Sequence, residues 1–90
     1  MAIGETLLRL PGVLVLRGVG RSTHYNDVAT GLFTRPVAVG QRARAWPASE
    51  VNAINGARIA GKGDAQIRTL VKHLEGKRTA GASPASIAGL

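Results

Sequence analysis

The chain has 90 residues, of which 12 are Lys or Arg and 5 are Asp or Glu, so its formal net charge is +7. This length accommodates one small domain, and with three aromatic residues its core must rest mainly on Leu, Val and Ile. The lack of Cys excludes a disulfide framework and a thiolate zinc site, and no apolar run approaches the roughly 20 residues that span a membrane. The basic excess indicates a polyanionic partner.

The first predicted elements are a short strand and a helix. The residues Leu7–Leu10 have the apolar character of a strand. Pro11 suits the first turn of the following helix, where its missing N–H costs no hydrogen bond, and Gly18 suits the end of that helix.

A second short helix is predicted over residues 21–30, with Gly31 as its stop and Gly20 or Ser22 as its cap. Two short helices joined by a glycine-containing turn are typical of a helix-turn-helix motif.

A β-hairpin is predicted next. Residues 36–39 are extended in character, Gly40 and Gln41 suit a two-residue type II′ turn, and residues 42–46 alternate like a half-buried strand. Such a hairpin, with Arg42 at its tip, forms a wing.

Two further helices follow. Pro47 opens the third, which places Val51 and Ile54 on the core. The fourth is expected to start with Asp64 as its cap and to end at Gly76. Its apolar side chains have the spacing of an amphipathic helix: Ile67, Leu70, Val71 and Leu74. This stripe either covers the domain's own core or binds a second copy of the chain or another protein.

The elements together predict a mostly α-helical fold with a small β-hairpin. A winged helix-turn-helix domain is expected over residues 1–60, and a C-terminal amphipathic helix over residues 61–78. Residues 79–90 are mainly Ala, Ser and Gly with little to bury, which predicts a disordered tail.

An ordered set of residues within about 7–60 resembles one known family. The set comprises Arg21-Ser22-Thr23, Tyr25, Gly31, Phe33, Arg35-Pro36-Val37, Gly40, Arg42, Trp46 and Glu50-Val51. The chain resembles the AlpA family of phage and prophage transcriptional regulators, small winged helix-turn-helix proteins related to excisionase and MerR-type DNA-binding domains. The resemblance implies a cytoplasmic, double-stranded-DNA-binding regulator in a bacterial or phage-infected cell.

The chain departs from the family pattern at several positions. Gly20 stands where the family has a capping Ser, Gly12 where it has Glu, Thr34 where it has Pro, and Ile54 where it often has a second Trp. Arg44 replaces a small or apolar residue and either extends past the core or adds a basic contact.

The candidate DNA-binding residues of the second helix follow from its expected place in the major groove. Arg21 can bind guanine or a phosphate, whereas Ser22 and Thr23 either contact DNA or only cap the helix. Asn26 either pairs with adenine or is solvated. Tyr25 is expected to pack inward more than to meet a phosphate.

The remaining candidates lie on the hairpin. Arg42 is expected to contact a phosphate or the minor groove, and Arg35 and Arg44 are weaker candidates. Trp46 is expected to anchor the core, and His24 to be half-buried and structural.

The sequence predicts neither an enzyme nor a metalloprotein. The two His residues are not spaced as ligands, no Cys is available as a nucleophile, and Ser22 and His24 point apart on a helix. No cofactor is expected. The alternatives to a regulator are an excisionase-like factor that bends DNA for a recombinase, and a protein-interaction module that uses the C-terminal helix.

Overall fold

The computed structural model describes the backbone of residues 5–88 and the side chains of residues 5–78. Four helices and three short strands follow one another along this part of the chain: β1 (Leu7–Leu8), α1 (Leu10–Arg17), α2 (Arg21–Thr30), β2 (Val37–Ala38), β3 (Arg44–Pro47), α3 (Ala48–Ile59) and α4 (Asp64–Ala88). The fold is mostly helical and is compatible with a winged helix-turn-helix plus a C-terminal helix, as the sequence predicts. Across residues 5–88, no helix combines the length and apolar character needed to cross a membrane.

The strands form a three-stranded antiparallel sheet in the order β1-β3-β2. β1 pairs with β3 through Leu8 and Trp46, while β2 pairs with the other edge of β3 through Val37 and Ala45. β1, which precedes α1, thus joins the start of the helix-turn-helix to the hairpin through its pairing with β3.

The turn of the hairpin differs from the predicted one. The backbone N–H of Val39 donates to the carbonyl of Ala43 at 2.9 Å, in register with the pairing of Ala38 and Arg44. Three residues, 40–42, therefore form the loop, and Gly40 does not have the positive φ that a type II′ turn requires. The prediction of a two-residue turn was wrong because Ala43, rather than Arg42, continues the register of β3.

Two glycines end α1 and α2 as predicted. Gly18 and Gly31 adopt left-handed conformations with φ of 71° and 83°, and their N–H groups bond to carbonyls of the last helical turn. Residues with a Cβ are strained in this conformation, which favours glycine at both positions.

The predicted helix caps were partly wrong. Gly20 occupies the cap position of α2, so Ser22 lies inside the first turn and caps nothing. At α4 the carbonyl of Gly63 accepts the first helical hydrogen bond, from Ile67, and its N–H is satisfied by Gln66 Oε1 at 3.1 Å. Asp64 is therefore the first helical residue, where its charge favours the helix dipole without capping it.

The core lies between the sheet and all four helices. Its buried members are Val13, Phe33, Trp46, Val51, Ile54, Ile67 and Val71. Trp46 is the predicted anchor: its ring is buried and its Nε1–H donates to the carbonyl of Thr34 at 2.8 Å. This bond satisfies the single polar group of the indole at the centre of the domain.

The apolar stripe of α4 packs on the protein's own core. Ile67 and Val71 are buried, and Leu70 and Leu74 are half-buried against the same cluster. The stripe therefore covers the domain's own core, which is the first of its two predicted uses. Binding of a second copy of the chain or of another protein through this stripe stays a prediction.

The predicted end of α4 at Gly76 was wrong, because the helix continues to Ala88. Contacts on both sides of this glycine hold the helix: Glu75 accepts the backbone N–H of Arg35 at 2.8 Å, and Arg78 binds Glu50. One Gly inside a helix costs about 1 kcal/mol, which such contacts offset. The helix also runs past the predicted boundary at residue 78. The division into domains stays a prediction. Of the residues predicted to be a disordered tail, 79–88 continue α4, and 89–90 lie outside the described part.

Candidate nucleic-acid interface

The two faces of α2 differ in burial. One face holds His24, Asp27 and Val28, which lie three or four residues apart and are buried or half-buried. The opposite face carries Ser22 and Asn26 and is exposed over the length of the helix. The second helix of the motif therefore presents a polar, solvent-facing surface that no other described element covers.

The predicted contact residues of α2 are all on the surface. Arg21, Ser22, Thr23 and Asn26 are exposed. Tyr25 is also 45% exposed, so the expectation that its ring packs inward was wrong. The reason is its position: His24, one residue earlier, takes the place in the core and stacks edge-on against Phe33 and Trp46, with ring centroids 5.0 and 4.8 Å away.

The hairpin meets the helix-turn-helix at a basic groove of about 220 Å³. Tyr25 lines it from α2, and Arg42 and Arg44 line it from the hairpin. Arg9, which is not among the predicted contact residues, lies at the same groove and donates from Nε to the carbonyl of Arg44 at 3.0 Å. No periodic pattern marks Arg9 in the sequence; it reaches the groove because β1 pairs with β3.

Arg35 lies apart from this group. Its backbone N–H and its guanidinium both donate to the carboxylate of Glu75, at 2.8 and 3.3 Å, and its carbonyl accepts from Arg78. The side chain is still 74% exposed. The structure thus brings Arg42 and Arg44 together beside Tyr25, but it joins Arg35 to α4.

The five Asp and Glu side chains, all within the described residues, are engaged away from the exposed face of α2 and the hairpin loop. Among the described side chains, four carboxylates form ion pairs, Arg17–Asp27, Arg35–Glu75, Arg58–Asp64 and Arg78–Glu50, and Glu5 accepts from Ser49. By contrast, Arg21, Arg42 and Arg44 form no ion pair within residues 5–78. The first turn of α2 and the hairpin therefore carry three arginines whose charge no described carboxylate offsets, which favours a polyanion.

A buried polar network joins α1 to α2. Nη2 of Arg17 lies 2.6 Å from Oδ2 of Asp27, and Nη1 donates to Nδ1 of His24 at 2.9 Å. The guanidinium also lies 4.3 Å from the centre of the Phe33 ring, a cation–π contact. This network fixes the second helix of the motif against the first.

The imidazole of His24 is neutral in this network. Burial, followed by the positive charge of Arg17, lowers its pKa from 6.5 to about 4. Because Nδ1 accepts from Arg17, the ring proton sits on Nε2, which has no hydrogen-bond partner among the described residues. The sequence predicted a half-buried structural His; the residue is structural but fully buried.

Comparison with known proteins gives two matches. The model of the family described as "Prophage CP4-57 regulatory protein (AlpA)" matches residues 6–53. "Uncharacterized protein ORF88" of Enterobacteria phage P4 is 43% identical over 58 residues, which are 64% of this chain and 66% of that protein. The chain thus spans just under two thirds of that relative. No solved structure matches. The family match includes β1, α1, α2 and the hairpin, and it ends within α3.

Proposed function

Because the chain belongs to the AlpA family of phage regulatory proteins, we propose that it is a sequence-specific DNA-binding transcriptional regulator of a phage, prophage or mobile element. The observation that carries this proposal is the charge distribution. The exposed face of α2 and the hairpin present arginines without ion pairs within residues 5–78, while every carboxylate is engaged elsewhere. Such a surface matches a phosphate backbone.

The dimensions of α2 support insertion into the major groove. An α-helix with its side chains is about 10–12 Å in diameter, which fits the roughly 12 Å width of the major groove of B-DNA. The buried contacts of Arg17 with His24 and Asp27 hold α2 in a fixed orientation relative to α1. Rigid support of this kind keeps contact residues in register with base edges.

Five exposed residues of α2 have side chains that suit contacts with DNA. Arg21 is suited to a bidentate contact with guanine, and Asn26 to one with adenine. Ser22 and Thr23 lie in the first turn, where hydroxyls and free backbone N–H groups together bind a phosphate. The phenol of Tyr25, exposed at the basic groove, is suited to a phosphate as well.

The hairpin supplies the contact outside the major groove. Arg42 is exposed in the three-residue loop and is the proposed contact to a phosphate or to the minor groove. Arg44 supports it from the same groove. Arg35 contributes least in this proposal, because its guanidinium is shared with Glu75.

The substitution Arg21→Ala tests the proposal. If Arg21 reads a base, specific binding weakens by about 1–3 kcal/mol and the preference for sequence flattens. The matched control is Lys62→Ala, which removes the same charge from an exposed position between α3 and α4. The affinities are measured by fluorescence anisotropy on a duplex selected by the wild-type protein, after circular dichroism has verified the fold. Equal affinities for the two variants contradict the proposed docking of α2.

A further inference from the structure

A second basic groove lies at the C-terminal end of α2, where Arg68 of α4 contacts Thr30. The groove has a volume of about 290 Å³, and residues 28–31 of α2 and its cap form one wall. α4 forms the other wall with Arg68, Val71, Lys72 and Glu75. The α4 wall lies beyond residues 6–53, which the family match covers, whereas the α2 wall lies within them.

Arg68 is held in place at this groove. Its Nε donates to the carbonyl of Thr30 at 2.9 Å, and its Cγ lies 3.7 Å from the position that a Cβ would take on Gly31. The terminal Nη1 and Nη2 groups make no hydrogen bond within residues 5–78, and the residue is exposed. One donor therefore orients a guanidinium whose remaining donors are free for an external acceptor.

The charge of the groove favours an anion. Lys72, one turn along α4 from Arg68, is exposed and forms no ion pair within the described residues. The groove contains one carboxylate, that of Glu75, and Arg35 already pairs with it. Arg68 also offsets the partial negative charge at the end of α2, which would otherwise repel a phosphate.

The position of the groove relates it to the proposed docking. Arg21 begins α2, and Arg68 contacts Thr30 at its other end. In the homeodomain, a variant of the helix-turn-helix, the C-terminal end of the recognition helix contacts the sugar–phosphate backbone. A basic pair at this end is therefore placed to meet phosphates rather than base edges.

We propose that Arg68 and Lys72 bind phosphates of the DNA strand that passes the C-terminal end of α2. This proposal rests on the proposed function. It makes α4 a part of the DNA-binding surface in addition to a cover for the core. The hairpin and α4 then contact the DNA backbone on either side of the base-reading turns of α2.

The test compares two lysines of the same helix. Lys72→Ala and Lys77→Ala remove the same charge from exposed positions of α4, but Lys77 lies at a different groove, beside Glu50 and Arg78. Binding to a mixed-sequence duplex is measured by anisotropy between about 50 and 200 mM salt. We expect Lys72→Ala to reduce the salt slope of log K by about 0.9, the value for one lost phosphate contact, and Lys77→Ala to leave it unchanged. Equal slopes for the two variants overturn the proposal.

Two substitutions of Arg68 distinguish the contribution of its charge to DNA binding from its contribution to the fold. Arg68→Lys keeps the charge but loses the oriented guanidinium, and Arg68→Ala loses both. We expect Arg68→Lys to keep most of the salt slope and Arg68→Ala to lose about 0.9 of it. If both variants reduce the slope and both unfold at lower urea concentration, Arg68 acts only on the fold of α2, which contradicts its role as a phosphate ligand.

Arg42→Ala, measured in the same series, distinguishes the failure of this inference from the failure of the proposed function. A reduced slope for Arg42→Ala with wild-type slopes for Lys72→Ala and Arg68→Ala rejects the α4 contact alone. Wild-type slopes for all three variants reject the proposed backbone contacts of the hairpin and of α4, and no binding of the wild-type protein rejects the proposed function together with this inference.

Discussion

Arg17 and Asp27 join the two helices of the helix-turn-helix motif through an ion pair of 2.6 Å whose side chains are 6% and 14% exposed. Both charges are removed from water, so each depends on the other for compensation. The pair therefore stabilises the domain and also holds α2 in its orientation relative to α1.

Asp27→Asn is expected to destabilise the domain by about 3–5 kcal/mol, because it leaves the buried guanidinium of Arg17 without a counter-charge. The measurement is the free energy of unfolding in urea at pH 7. The control is Asp64→Asn, whose carboxylate is 60% exposed in its pair with Arg58 and is expected to contribute less than about 1 kcal/mol. Similar losses for the two variants contradict a special role for the buried pair.

The stability of the domain is expected to fall in acid because of His24. Its pKa is about 4 when folded and 6.5 when unfolded, so the unfolded chain binds more protons between these values. The contribution of this residue is fully present above pH 6.5. It declines as the pH falls toward 4, by up to about 1.4 kcal/mol per pH unit.

Urea unfolding of His24→Gln and His73→Gln across this pH window checks the assignment. The His73 variant, substituted at an exposed position of α4, is expected to keep the decline of the wild-type protein. The His24 variant is expected to be less stable at neutral pH but to show a flatter profile. An unchanged decline in the His24 variant assigns the acid sensitivity to other groups.

Arg42→Ala is expected to weaken binding to specific and mixed-sequence duplexes alike and to reduce the salt slope by about 1, because a phosphate contact carries no sequence information. The control is again Lys62→Ala, which removes an exposed charge outside the hairpin. A variant that loses affinity for one sequence only, with an unchanged slope, identifies Arg42 as a base-reading residue instead.

Arg78→Ala is expected to destabilise the protein by about 3 kcal/mol, since Glu50 is only 4% exposed and the two side chains meet at 2.6 Å. The removal of both charges in Glu50→Gln/Arg78→Met is expected to recover part of this loss, because no unpaired buried charge remains. Urea unfolding of the two variants tests this expectation. A double variant less stable than Arg78→Ala contradicts it.

Sequence patterns predicted the helices well where local chemistry determines the structure. Gly18 and Gly31 end α1 and α2 because only glycine adopts their positive φ at little cost, and Val51 and Ile54 are buried at the predicted helical spacing. The same local rule failed at Gly76, where contacts of Glu75 and Arg78 with distant parts of the chain keep α4 continuous.

The site was predicted less completely, because tertiary contacts decide which arginines remain available. Nothing in the local sequence distinguishes Arg17, which is buried with Asp27, from Arg21, which is exposed four residues later. The local sequence likewise does not distinguish Arg68 from other polar residues of an amphipathic helix. Its role depends on its contact with Thr30 at the end of α2. The partners of Arg17 and Arg68, which are Asp27 and Thr30, lie 10 and 38 residues away in the chain, beyond the reach of helical spacing.

The most direct measurement is selection of duplexes from a randomised pool by the purified protein at two salt concentrations, followed by sequencing. We predict a recovered sequence motif whose affinity advantage over the unselected pool persists at the higher salt concentration, because base contacts depend less on salt than phosphate contacts. Binding that declines steeply with salt and enriches no motif would contradict a sequence-reading role for α2.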